Sequence, residues 1–389
     1  MPRVGRYDVV IIGGGCAGLS LARELCAVPN PPKTLVLESR QHYTNDRTWC
    51  FWADEEHTLK PLVSHSWSHW DISSSSGSGI AHSASDVSYQ MIRSEDFYNH
   101  ALSVIDLEPN VSLQTQAQVL GIRKEPNQLE IGLADSLVYG RRVVDTRPPP
   151  RTELEKSTLL QCFMGKEVTT EQPVFNPKKA GLMTGMRCDE LGFRFLYVLP
   201  LSSRRALIET TRFSATLCPK AQLARDLEQD ISVLLGGQQW GVDREEYGAL
   251  PMGMPVAPAT DSGVYRAGIS GGALRAATGY GFQNIQSWAT NFASFLAGHD
   301  PLARVRERKL EAFMDDLFLR TVRRHPERAA EFFLAVAEAL DGEQFAEFMS
   351  RQPRASIWRR VVRALPPGPF ISSLFSGPVR ALPQGAVAR

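Results

Sequence analysis

Gly13, Gly15 and Gly18 stand at the spacing G-x-G-x-x-G, with Cys16 and Ala17 inside it, and a carboxylate, Glu38, follows twenty residues after the last glycine. Those residue types at that spacing bind the pyrophosphate of a dinucleotide. Gly13 permits a tight turn, Gly15 lets phosphate approach the backbone, and Gly18 lets helix and strand pack closely. Glu38 is placed to accept hydrogen bonds from the adenosine ribose hydroxyls. Such a turn works only between a buried strand and a helix whose N-terminal N–H groups face the phosphates. The flanks supply both. The apolar run Tyr7 to Ile12 predicts a strand buried on both faces, Leu19 to Ala27 repeats apolar residues at helical spacing, and Thr34 to Leu37 predicts a second strand. Flavoproteins commonly open this way, which by fold-level analogy favours FAD over NAD.

The 389 residues suffice for two or three domains, and 43% hydrophobic with 22% charged residues is ordinary for a globular protein. A net charge of +1 supplies no global field, so no nucleic-acid partner is expected. Six cysteines (16, 26, 50, 162, 188 and 218) lack C-x-x-C spacing and read as reduced thiols of a cytoplasmic protein. The eight histidines show no metal spacing, and no metal is assigned. No run of about 18 apolar residues predicts a membrane span.

Along the chain, Arg40 to Trp52 reads as an aromatic, polar loop, with Trp49, Phe51 and Trp52 either core or cavity lining. Ser73 to Ser78 predicts an exposed turn. Ser94 reads as the N-cap of a helix over Glu95 to Ile105. Strands are expected over Val111 to Val119, Leu129 to Leu133 and Arg142 to Asp145, before Pro148 to Pro150 stop the sheet. Phe193 to Leu199 and Ala206 to Phe213 predict a hairpin around Ser202 to Arg205. Pro251 to Pro258 is an irregular break. Val264 to Ile269 reads as a strand, followed by Gly271-Gly272, by Thr278-Gly279-Tyr280-Gly281 and by a helix over Phe282 to Leu296; residues 304 to 349 read as helices. The expected fold is α/β: a Rossmann-like domain split between 1–150 and 256–300, an inserted β-sheet substrate domain over 151–255, and a helical region over 301–389. Flavoprotein monooxygenases share this order, and by that analogy Gly271, Gly272, Thr278, Gly279 and Tyr280 close over a flavin.

Several stretches make the likeness specific. Asp46 to Trp52, Val144 to Arg147, Phe193 to Pro200, Leu207 to Phe213 and Thr278-Gly279-Tyr280, with Arg320 to Pro326 and Leu365 to Phe370, resemble the bacterial FAD-dependent lycopene β-cyclases, in that family's order. One departure is Ala276-Ala277, where many members carry His-Pro. The resemblance implies redox-neutral chemistry on lycopene or a similar polyene, using FAD kept reduced by an external reductant such as NADPH. A proton adds at the terminal C1=C2 bond, C5=C6 attacks the cation, and loss of the C6 proton gives the β-ring. Negative charge beside such a cation is worth about 4 kcal/mol at 4 Å and an effective dielectric near 20. The resemblance makes Glu209 the catalytic acid or base, since a carboxyl in an apolar pocket can hold a proton at neutral pH. Read from the residues alone, Glu209 is an ion-pair partner of Arg194 or Arg212. The other function classes are a flavin monooxygenase, a cyclase of another polyprenyl chain, and a silent FAD- or prenyl-lipid-binding protein. A monooxygenase usually carries a Gly-Asp pair in the late turn; here the residues are Gly268-Ile269-Ser270-Gly271.

The tail Ser350 to Arg389 holds seven arginines (351, 354, 359, 360, 363, 380 and 389), no acid, and interleaved Ile357, Trp358, Leu365, Phe370, Ile371, Leu374 and Phe375. That mixture suits the headgroup layer of an anionic bilayer and predicts a cytoplasmic protein held peripherally at the inner membrane.

Overall fold

The opening apolar run forms strand β1 (Val4–Ile12). Val9 and Ile11 join one buried cluster, while Val10 and Ile12 join another on the opposite face. That alternation is what a strand covered on both sides requires. The computed structural model describes residues 4–256, 263–299, 309–350 and 353–375.

After β1 come α1 (Cys16–Ala27), β2 (Thr34–Leu37), β3 (Thr48–Ala53), β4 (Val63–Trp67), β5 (His69–Ser74), β6 (Gly79–Ser83) and β7 (Ser88–Arg93). Then follow α2 (Ser94–Asp106), β8 (Val111–Gln114), β9 (Gly121–Lys124), β10 (Leu129–Gly132), β11 (Leu137–Asp145) and α3 (Arg151–Leu154). β12 (Leu159–Thr170), β13 (Lys179–Asp189), β14 (Gly192–Pro200), β15 (Arg205–Ser214), α4 (Lys220–Leu234) and β16 (Trp240–Met252) come next. β17 (Val264–Arg266) leads to α5 (Phe282–Leu296), α6 (Lys309–Arg324), α7 (Ala329–Glu338), α8 (Gly342–Ser350), α9 (Ala355–Ala364) and α10 (Pro367–Phe375).

The chain divides into two units. The first takes the described residues of 1–66, 87–153 and 255–307. Its main sheet runs β8-β2-β1-β11, all parallel, and β17 and the β9–β10 hairpin share the far edge of β11. Ile12 lies opposite both Leu37 and Asp145, and Asp145 opposite Arg266, so four strands end in line. Helices α1, α2 and α5 cover one face through Leu19, Leu25, Phe97, Ile105, Ala289 and Phe292. Leu25 is fully buried, so Leu25→Ala costs about 2–5 kcal/mol. β3-β7-β4 form a smaller sheet.

The second unit takes the described residues of 67–86, 154–254 and 308–389. Its sheet runs β16-β12-β15-β14-β13-β5-β6, antiparallel except for β13 with β5. Leu223, Leu227 and Ile231 of α4 pack on Met164, Leu196, Val198 and Ile208. The fold is thus α/β: a Rossmann-like parallel sheet, a mostly antiparallel second sheet, and C-terminal helices.

Some elements differ from expectation. Arg93, not Ser94, occupies the N-cap of α2, because the Ser94 hydroxyl accepts the Arg47 N–H at 3.0 Å. The aromatic loop before Ala53 turns into β3 at Thr48, since pairing with β7 buries Phe51 and Trp52. The strand from Val264 stops at Arg266, and that from Val111 stops at Gln114, where Gly268 (φ +63°) and Gln116 (φ 55°) break the extension. Residues 257–262 of the expected second Rossmann segment, 300–308 before the helices, and Arg351, Arg380 and Arg389 of the tail lie outside the described residues.

Candidate functional site

Because four strands of the first unit end in line, their following turns gather at one place. Gly13 adopts φ +99°, and an added Cβ would lie 2.7 Å from Thr146 Oγ1. The Thr146 hydroxyl also donates to the carbonyls of Ile12 and Gly13, at 3.0 and 2.9 Å. A Cβ on Gly18 would meet Gly13 O at 1.9 Å, which no side chain survives. Gly15 caps α1, and a Cβ there would meet nothing nearer than Arg40 Nη2 at 4.0 Å. The backbone at the helix start therefore faces open space, and a pyrophosphate fits it.

Glu38 bounds the turn, only 4% exposed. Gly14 N–H donates to its Oε2 at 2.6 Å, and Arg40 donates to Oε1 from its backbone N at 2.7 Å and from Nε at 3.1 Å. Burial works to raise this carboxyl, but the Arg40 bonds and charge and the Gly14 N–H outweigh it and hold it below its usual range. The Arg40 guanidinium lies over Tyr43 and Tyr98, 4.8 and 5.2 Å from their ring centroids. Sequence reasoning missed Gly14, Arg40 and Thr146. Thr146 carried a signal, since it directly follows the last residue of a buried strand. Cys16 and Ala17 open α1, and burial pushes the Cys16 thiol up to about 12.

The late turn belongs to the same end of the same unit. An added Cβ on Gly268 would lie 3.1 Å from Ala17 Cβ, and Ser270 Oγ donates to Arg147 O at 2.6 Å. Gly271 packs so closely that a Cβ would meet Arg266 O at 2.7 Å, and Gly272 has φ +81°. Arg275 N–H donates to Tyr280 O, and Gly279 N–H to Arg275 O, both at 2.9 Å, closing the loop that carries Thr278, Gly279 and Tyr280 to the start of α5. Tyr280 OH lies 3.0 Å from Tyr89 OH and its ring 5.1 Å from Trp52. Phe51 and Trp52 are core, packed on Phe282 and Tyr89 respectively.

Glu209 lies in the other unit, on β15, flanked by Gly165 of β12 and Tyr197 of β14. Strand alternation puts Leu207, Glu209 and Thr211 on one face and Ile208, Thr210 and Arg212 on the other. Thr211 Oγ1 donates to Glu209 Oε1 at 3.0 Å. Arg194 and Arg212 face away, toward α4. Arg194 meets Asp226 at 2.8 Å and Asp230 at 2.9 Å, and Arg212 meets Asp226 at 2.6 Å and Asp189 at 2.7 Å. The expected pairing of Glu209 with Arg194 or Arg212 is therefore not made, because three aspartates hold both guanidiniums behind the sheet. A feature the sequence reading missed is Glu246 of β16, on the far side of Gly165. A Cβ on Gly165 would lie 3.3 Å from both Glu209 Cβ and Glu246 Cγ, so the glycine leaves room for two carboxylate side chains. Glu246 is bonded to Arg244 Nη1 at 2.9 Å.

A family model described as lycopene cyclase protein matches residues 8–359. A lycopene beta-cyclase of Pseudescherichia vulneris is 28% identical over 70% of this chain and 70% of its own. Among solved structures, a geranylgeranyl bacteriochlorophyll reductase-like protein of Thermoplasma acidophilum aligns with a TM-score of 0.60 at 14% identity, over 95% of this chain and 99% of its own. A halogenase solved in complex with phloroglucinol and FAD aligns with a TM-score of 0.55 at 15% identity, over 92% and 79%. At those identities the structural likeness shows the fold alone.

Proposed function

The chain belongs to the lycopene cyclase family, and from that premise we propose that it closes the linear ψ end groups of lycopene into β-ionone rings. The reaction is a redox-neutral isomerisation. Glu209 acts on it as acid or base, either placing the proton at C1=C2 or removing the C6 proton. The Thr211 hydroxyl, 3.0 Å from Oε1, orients that carboxyl. Gly165, having no side chain, leaves room beside Glu209 for that carboxylate and for Glu246.

The cofactor that fits this reading is FAD: the Gly13–Gly18 turn would hold its pyrophosphate, Glu38 its ribose, and Gly271, Gly272 and Thr278–Tyr280 of the late turn would close over its ring system. Kept reduced by an external reductant such as NADPH, the flavin would supply negative charge to carbocation chemistry. The open approach at Gly15 and the start of α1 support that placement. A halogenase of similar fold was solved with FAD, which agrees with the choice of cofactor.

The substrate, a C40 hydrocarbon, partitions into lipid, so we place the enzyme in the cytoplasm and peripherally on the inner membrane. Arg359, Arg360 and Arg363 are exposed on α9, and Ile371, Leu374 and Phe375 on α10, 51%, 45% and 89% exposed. Among the described residues no helix is long and apolar enough to cross a membrane.

The observation that carries the reading is the family match over residues 8–359. Expression in a lycopene-accumulating bacterium, followed by pigment chromatography, tests it: β-ring products are expected. Unchanged lycopene from a chain that has bound flavin, or oxygen uptake coupled to substrate, would overturn it in favour of a binder or a monooxygenase.

A further inference from the structure

Two of the six cysteines meet where no proposed catalytic or cofactor-binding group lies. Cys162 sits near the start of β12, fixed by pairing to Arg212 of β15 on one side and Ala249 of β16 on the other. Cys218 sits in the irregular stretch after β15, just before Pro219 and the first turn of α4. Cys218 N–H donates to Cys162 Sγ at 3.4 Å, and the Cys162 thiol is directed to Thr216 O at 4.0 Å, two residues before Cys218, so the strand thiol lies against the backbone that carries its neighbour. Cys162 is 1% exposed and Cys218 partly exposed. A buried thiol thus stands behind a reachable one, the arrangement in which one sulfur reacts with an oxidant and the other resolves the product.

We propose that Cys162 and Cys218 form a redox-active dithiol that hydrogen peroxide converts into an intramolecular disulfide. The Cys218 thiolate attacks one peroxide oxygen, the O–O bond breaks, and the second oxygen leaves as hydroxide, giving Cys218 sulfenic acid. The Cys162 thiol then attacks that sulfur, an S–S bond forms, and water leaves with the Cys162 proton. Two thiols are oxidised by two electrons, and one peroxide becomes two waters.

Local charge favours this order of events. The hydrogen bond from Cys162, ahead of that from Ser214 and the charge of Arg212, lowers the Cys218 thiol against the opposing effect of burial. The start of α4 adds its positive dipole end. The hydrogen bond between them raises Cys162 in turn, as suits the resolving partner. Cys162 is fixed within a paired strand, whereas residues 215–219 have no regular structure and can bring Cys218 to the S–S geometry. Burial raises the Cys16 and Cys26 thiols to about 12 and about 11. Cys188 is exposed, but burial of its sulfur and the neighbouring Asp189 raise it also. Exposure alone would make Cys188 the first to react, so the two accounts differ.

The test exposes the full purified chain, with its cofactor, to an equimolar amount of hydrogen peroxide, blocks free thiols with a maleimide, and maps peptides by mass spectrometry. The expected result is a linked pair of peptides carrying Cys162 and Cys218, a loss of two titratable thiols, and their recovery with dithiothreitol. In Cys218→Ser, Cys162 should stay alkylatable after the same treatment. Alkylation of both Cys162 and Cys218 in the treated parent, oxidation falling first on Cys188, or a disulfide with other partners would each overturn the proposal.

Discussion

Replacing Glu209 by Gln separates the chemical role of the carboxyl from its structural one. The side chains match in length and shape, and the amide oxygen can still accept the Thr211 hydroxyl bond now at 3.0 Å. Arg194 and Arg212 are held by Asp189, Asp226 and Asp230 on the opposite face, so the change strands neither guanidinium. Exchanging the charged Thr211 bond for a neutral one costs the fold about 1 kcal/mol or less. Loss of the titratable proton costs far more in the reaction, since positioned acid–base catalysis contributes about 10²–10⁴-fold, or roughly 3–5 kcal/mol of barrier. Glu209→Gln should therefore unfold in denaturant near the parent midpoint, keep its flavin absorbance, and cyclise lycopene at least about a hundredfold more slowly. Glu209→Asp, one methylene shorter, should fall between. The assay is product formation from lycopene in liposomes under reducing, anaerobic conditions. A Gln variant running within about threefold of the parent would refute the reasoning, because neither direction of proton transfer tolerates an amide.

Gly15→Val should fold, since an added Cβ meets nothing nearer than Arg40 Nη2 at 4.0 Å, yet purify without flavin absorbance; normal flavin content would refute the placement. Arg212→Met should lower unfolding free energy by about 3 kcal/mol, the low end for a broken buried pair, because Asp226 keeps Arg194 at 2.8 Å. Burial works to raise Asp226, but the bonds and charges of Arg212 and Arg194 outweigh it, and the Arg212 bond leads in lowering Asp189, so both sit below the ordinary value near 3.9. Folded values below unfolded ones give stability that is full above about pH 4 and lost as pH falls further; the parent should lose more over that interval than Arg212→Met, and parallel curves would refute the assignment. In flotation, the protein should bind anionic vesicles and leave neutral ones; equal binding to both, or to neither, would remove the basic tail from the account.

The first unit was legible because its signals are local. Val9 to Ile12, the glycines and Leu19 to Leu25 announce strand, turn and helix within twenty residues. In the second unit the hairpin of β14 and β15 was readable from its turn, but β12, β13 and β16 were not. β13 carries Gly181 and Gly185, where its register against β14 and β5 shifts, so it resembles a loop. β16 holds Asp243-Arg244-Glu245-Glu246, whose charges are met by Lys166, Glu167 and Arg205 from strands distant in sequence. That compensation is tertiary and leaves no local trace. The face of Glu209 was legible in principle: Arg212 lies three residues away on an alternating strand and so must point oppositely. What no spacing announced was Gly165, and with it Glu246, because their proximity depends on the register of two other strands.

The parallel pairing of β1 with β11 sets Val4 opposite Leu137, and that has a consequence for the ribosome. At about 5–20 residues per second, roughly 7 to 27 seconds pass between the emergence of the two strands. Throughout that interval Val9 to Ile12 offer an unpaired, wholly apolar edge to any other nascent chain. β5 waits similarly for β13, with His69 opposite Lys179. Both sheets thus close late and by long-range contacts, the slow and aggregation-exposed kind. Soluble yield in a host cell should follow chaperone supply and growth temperature more closely than the equilibrium stability of the finished protein.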